Sequence, residues 1–109
     1  PANCYYRALA LITCATPSGT LANSLVLNRG MNIVSTVTTT NDSFTLPTLT
    51  GSVMIAVVNN GANVLRVFPN VSTGQIDTGG AGTAQTVAVN KMRFFWQGSP
   101  GLWYSFVSP

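Results

Sequence analysis

The sequence predicts an all-β fold: a single antiparallel β-sandwich or jelly-roll-like domain of about eight or nine short strands spanning residues 1–109. Three observations carry this. No long stretch places apolar residues at three- and four-residue spacing. Val, Thr, Ile, Phe, Tyr and Trp are abundant, and they suit a pleated, half-buried surface. Turn residues punctuate the whole chain at intervals of roughly 8–12 residues, the spacing of a sandwich or barrel. Composition shows no break, linker or internal repeat, and 109 residues make one domain.

The elements follow in order. Residues 5–15 predict a long strand or a strand with an irregular lead-in, closed by the turn Thr16-Pro17-Ser18-Gly19. Residues 21–27 predict a second strand, ended by Asn28-Arg29-Gly30. Residues 31–39 predict a third. Alternation puts Ile33, Ser35 and Val37 on one face and Val34 and Thr36 on the other. Asn41-Asp42-Ser43 breaks it, and residues 44–49 form a short run whose Pro47 suits an edge or bend. Residues 53–58 are apolar at every position, which predicts a strand covered on both faces. Asn59-Asn60-Gly61-Ala62 follows with Asn-Gly at its centre and predicts a hairpin to residues 64–68. Residues 74–84 predict a Gly-rich loop that touches the sheet at Ile76. Residues 86–90 and 92–97 are expected to pair, Gly98-Ser99-Pro100-Gly101 turns the chain, and residues 102–107 close the domain.

The inventory of charge narrows the function. Five Lys and Arg, two Asp, no Glu and no His leave 6% of residues charged, against about 25% in an ordinary globular domain. Without His there is no Ser-His-Asp or Cys-His relay. Asp42 and Asp77 would have to be both partners of any carboxylate pair. A zinc site built from the usual His and Cys ligands would have only Cys4 and Cys14 to use. The inventory therefore predicts no enzyme, no metal and no cofactor. The basic residues Arg7, Arg29, Arg66, Lys91 and Arg93 are scattered, so the net charge of +3 predicts no nucleic-acid stripe. A surface built of Thr, Asn, Ser and Gln disperses a protein poorly and suits an assembly.

No basic, apolar leader opens the chain, and Pro1-Ala2-Asn3 suits a start after removal of an initiator Met. The mildly apolar residues 8–15 are too short to span a membrane. Cys4 and Cys14 could pair, but without a secretion signal reduced, buried thiols are expected. Asn41-Asp42-Ser43 and Asn70-Val71-Ser72 match the glycosylation pattern, a match expected to be chance on the same ground. The loop Thr78-Gly79-Gly80-Ala81-Gly82-Thr83 lacks the Gly-Lys-Ser/Thr of a phosphate loop, so a plain flexible connection is expected.

Aromatics are the densest feature. Phe94 and Trp96 share one face of their strand and Phe95 takes the other; Trp103 likewise opposes Tyr104 and Phe106. The hairpin therefore presents aromatics on both faces. One set belongs in the core. The other is covered by loops or another strand, or serves as a subunit interface or a sugar-stacking platform. Cys4-Tyr5-Tyr6-Arg7 reads either as an ordinary first strand or as an arm toward a partner. The candidate interface residues are Tyr5, Tyr6, Arg7, Trp103 and Tyr104.

About half the chain resembles a known group. Val57-Val58-Asn59-Asn60-Gly61-Ala62-Asn63 leads into Val64-Leu65-Arg66-Val67-Phe68-Pro69. Ile76 follows in a polar loop, then Val87-Ala88-Val89, Phe94-Phe95 and a closing Trp103-Tyr104. This pattern resembles β-rich virion proteins of tailed bacteriophages: capsid decoration (cement) proteins and related head- or tail-fibre domains. The N-terminal half does not follow the pattern, which leaves the place in the virion open. The resemblance implies a β-sandwich or jelly-roll subunit, often a homotrimer, bound to the major capsid protein on the outer shell. Such a protein is made in the host bacterial cytoplasm and located on the virion. It bridges capsid subunits and stabilises the shell; no membrane partner is implied and no small-molecule ligand is expected. A chain of this length fits a free-standing decoration subunit better than a fibre. The alternatives are a receptor- or glycan-binding head, using Trp96 or Trp103, and a neck or tail adaptor with a mobile terminus.

Overall fold

A computed structural model describes the backbone of residues 10–14 and the whole of residues 20–109. Among these residues the chain is all-β apart from a 3-10 turn at Leu21–Asn23. The strands are β1 (Ala10–Cys14), β2 (Leu25–Val26), β3 (Gly30–Val37), β4 (Asp42–Thr45) and β5 (Val53–Asn59). They continue with β6 (Leu65–Phe68), β7 (Gln75–Ile76), β8 (Gln85–Val87), β9 (Met92–Ser99) and β10 (Leu102–Val107). They build two mixed sheets: six strands in the order β1-β3-β5-β9-β10-β7, and four in the order β2-β4-β6-β8.

The pairing is not that of an antiparallel sandwich. β1, β3 and β5 pair in parallel, and so do β2, β4 and β6. Adjacent parallel strands need a crossover between them. Here the crossover is a strand of the opposite sheet, because the chain winds from one sheet to the other and back. Antiparallel pairing begins only where β8 closes on β6, and β9 on β5 and β10. These late strands cover the edges of β5 and β6, where unpaired backbone groups would otherwise face solvent.

Two expected hairpins are therefore absent. Residues 59–63 form a corner between sheets, not a hairpin between β5 and β6. An Asn-Gly hairpin turn needs positive φ at both central residues, and neither Asn60 nor Gly61 has it. The buried Asn59 side chain fixes the corner instead. Its Oδ1 accepts the Gly61 amide, and its Nδ2 donates to the carbonyls of Asn63 and Val87, all at 2.9 Å. Gly61 is obligatory for a packing reason: a Cβ there would lie 2.6 Å from the Val37 amide nitrogen. Residues 86–90 likewise do not pair with 92–97, since β8 and β9 lie in different sheets.

Smaller corrections have local causes. The predicted strand over 21–27 begins as a 3-10 turn at Leu21–Asn23 and keeps two strand residues at Leu25–Val26. The strict alternation expected of residues 31–39 fails because the register slips opposite Ile12/Thr13, so Val34 and Val37 both face inward. The contact expected at Ile76 exists, as β7 pairs with β10.

The core lies between the sheets. Val34, Ile55, Val57, Phe95 and Trp103 come from the larger sheet and Phe44, Leu65, Val67 and Val87 from the smaller, all at most 2% exposed. Several polar groups inside are matched, while Gln97 Oε1 is buried without a hydrogen-bond partner among the described residues. Asp42 accepts the Thr39 amide and hydroxyl, and Asn32 Nδ2 donates to the Asn28 and Ala56 carbonyls. Gln97 Nε2 donates to the carbonyls of Leu49 and Gly51, 2.9 Å each. Each such bond avoids the roughly 1–3 kcal/mol that a stranded buried group costs.

Candidate interaction surface

The six-stranded sheet has one face toward the core. Its other face is set by the alternation of β3, β5, β9 and β10. Register places the residues in cross-strand rows. Met54, Trp96 and Tyr104 form one row; Met31, Ala56, Phe94 and Phe106 form the next; Ile33, Val58 and Met92 form a third. None of these ten residues carries a charge. Met54, Trp96, Tyr104 and Phe106 are 41–56% exposed, whereas Ala56 is 5% exposed.

The aromatics here act as a unit. Phe94 stacks on Phe106 with ring centroids 5.0 Å apart, and Trp96 tilts against Tyr104 at 5.9 Å. Such pairs hold each ring in one orientation. Gly98 makes room for them: a Cβ there would lie 3.1 Å from Tyr104 Cε2 and 3.3 Å from Trp96 Cζ3. Together the four rings make a ridge beside the lower ground of Ala56, Val58 and Ile33.

The candidate residues separate accordingly. Tyr104 stands on the exposed face. Trp103 does not: it is fully buried, and its indole N–H donates to Asn70 Oδ1 at 3.3 Å. Its place as an interface or sugar-stacking residue is therefore corrected to one in the core. Tyr5, Tyr6 and Arg7 lie outside the described residues, as does Cys4. Phe94, Phe106 and Met54 belong to the face but were not among the candidates. Phe94 and Phe106 were visible in the alternation. Met54 needed the β5–β9 register, which brings it beside Trp96.

Expected coverage of both faces of residues 53–58 holds only in part. Ile55 and Val57 are buried in the core and Ala56 is buried beneath its neighbours, but Met54 is 49% exposed.

Elsewhere the molecule offers little chemistry. Asp77, at φ 57°, accepts the Ser105 amide at 2.7 Å, and Arg93 lies 3.6 Å from its other oxygen. Burial lowers the Arg93 guanidinium from its ordinary value, and Asp77 opposes that shift. Arg93 also donates to the Thr86 carbonyl and to Gln85, so the group ties β8, β9 and β10 together. Asp77→Asn keeps an acceptor for the Ser105 amide and removes the charge. It is expected to cost about 1 kcal/mol in urea denaturation; a cost above about 3 kcal/mol would mean the ion pair is a main support of the fold.

An open hollow of about 540 Å³ between residues 70–75 and 99–102 is lined by Asn70, Thr73, Gln75, Ser99 and Leu102 among others, with no charged or aromatic side chain. The Gly-rich loop is closed on itself. The amides of Gly79, Gly82 and Thr83 donate to the carbonyls of Ile76, Gly74 and Gly80, which leaves those three amides unavailable to a phosphate. Among the described residues no three of His, Cys, Asp or Glu lie together.

No family model matches the chain, and neither a curated protein nor a solved structure matches it.

Proposed function

We propose that the protein is a structural virion protein, a capsid decoration (cement) protein that binds the major capsid protein on the outer shell and stabilises it. The observation that carries this reading is the outward face of the six-stranded sheet, whose ten described residues on β3, β5, β9 and β10 carry no charge and include four large, half-exposed side chains, the mark of a subunit that works by burying surface against other subunits. A face of that kind is worth most when buried, at about 25 cal/mol per Å² of apolar surface. Association itself costs several kcal/mol, so the gain per copy is modest and grows with the number of joints bridged. The reading needs no catalytic group. The 6% charged composition agrees with it, because densely repeated subunits with few charges repel one another little.

The test is to add the purified chain to shells lacking it and to follow shell disassembly by calorimetry, with bound copies counted by quantitative mass spectrometry. Saturable binding of hundreds of copies and a higher disassembly temperature are expected. An unchanged disassembly temperature would end the cement reading. Binding of only a handful of copies would instead favour a neck or tail adaptor.

A further inference from the structure

We infer that the outward face of the six-stranded sheet is the self-association surface of the protein, and that its occupant is the same face of a second copy, related by a two-fold axis. The inference rests on the assembly reading of that face and names what covers it.

Three features of the face argue for a second copy. The first is its area. Met54, Trp96, Tyr104 and Phe106 are each about half exposed. Large side chains of about 150–250 Å² at that exposure, with the partly exposed residues between them, leave roughly 600 Å² of apolar surface per chain. Two such faces bury about 1,200 Å², the lower bound of a stable specific interface.

Charge is the second. The chain carries a net +3, so two copies repel wherever their basic residues meet. None of the ten outward residues is charged, which makes this a face where that cost is small. The only side-chain hydrogen-bonding group among the ten outside the indole is the Tyr104 hydroxyl, on an exposed residue of β10.

Relief is the third. The four rings stand on β9 and β10, whereas β5 and β3 set the half-exposed Met54 beside the smaller Ala56, Val58 and Ile33. Both sets share one face and point the same way. A second copy laid face-on sets its rings against the smaller residues of the first and receives the first copy's rings on its own. Closure comes at two copies, an isologous contact. It packs two sheets about 10 Å apart, as in any face-to-face sheet pair. The three-fold arrangement implied by the resemblance would need the two sets on differently directed surfaces. A pair joined this way turns its two four-stranded sheets outward in opposite directions.

The experiment is native mass spectrometry and sedimentation of the isolated full chain over a roughly hundredfold concentration range, with no shells present. A dimer is expected. Trp96→Arg and, separately, Phe106→Lys are expected to weaken it by roughly 30-fold or more, as for a central interface anchor. Thr73→Arg, on the distant 71–73 loop, is expected to leave it intact. Circular dichroism of each variant checks that the fold survives. A monomer throughout, a trimer, or a dimer that persists in both face variants would overturn the inference. A monomer whose Trp96 is shielded from acrylamide would show that the chain covers the face itself. The result is separable from the shell assay: a dimer that ignores shells defeats the cement reading alone, and a monomer that binds shells defeats this one alone.

Discussion

Trp103→Ala is expected to lower the stability of the protein by about 3–5 kcal/mol, the cost of emptying a large aromatic site in a packed core. The indole is fully buried and stands on β10 with Phe95 and Ile76 in the same cluster. Its removal also deprives Asn70 Oδ1 of its donor. Against a total of about 5–15 kcal/mol for a domain, the loss is large enough to leave part of the population unfolded. The neighbouring Tyr104→Ala is the internal control. Tyr104 is 46% exposed, so its truncation is expected to cost under about 1 kcal/mol of monomer stability. Urea titration of both variants, at a concentration that keeps the chain monomeric, gives the comparison through their midpoints. Equal costs would show that the two faces of β10 are not divided into core and surface.

Asn59→Ala is expected to cost about 3 kcal/mol or more, although the side chain removed is small and polar. Three backbone groups depend on it: the Gly61 amide and the carbonyls of Asn63 and Val87. Asn59 itself is fully buried. Each group stranded without water costs about 1–3 kcal/mol. The damage spreads, because the corner of residues 59–63 joins the two sheets and the Val87 carbonyl belongs to β8. Asn59→Asp is expected to be at least as harmful, since it keeps the acceptor for Gly61 and faces two carbonyls with an oxygen where a donor stood. Thermal unfolding should fall by more than about 10 °C for either variant. A fall of only about 3 °C would mean that solvent reaches the corner and satisfies it.

These two residues illustrate how far the sequence reaches. The alternation Phe94-Phe95-Trp96 and Trp103-Tyr104 already divided the aromatics between two faces, and the structure keeps that division. Alternation cannot say which face is inside. Phe95 and Trp103 are the core set because their strands lie over Phe44, Val67 and Val87 of the smaller sheet, a fact of topology. Met54 shows the same limit from the other side. It sits in a run apolar at every position, and only its register opposite Trp96 makes it part of the exposed face. Asn59-Asn60-Gly61 misleads for a related reason. The dipeptide permits a hairpin, but the buried amide of Asn59 has better partners in the corner than in a turn.

By itself the sequence determined what is local or compositional. Strand-forming segments follow from β-branched and aromatic runs between turn residues, and the lack of His and Glu removes the commonest acid–base chemistry. Tertiary structure alone decided which strands are neighbours, and through them which aromatics are buried. The physical reason is that a strand's hydrogen-bonding edges are nearly the same whatever its sequence, so an isolated strand pairs almost as well in parallel as in antiparallel. Pairing is chosen by the joint packing of both sheets around one core and by the side chains, such as Asn59, that lock the corners between them.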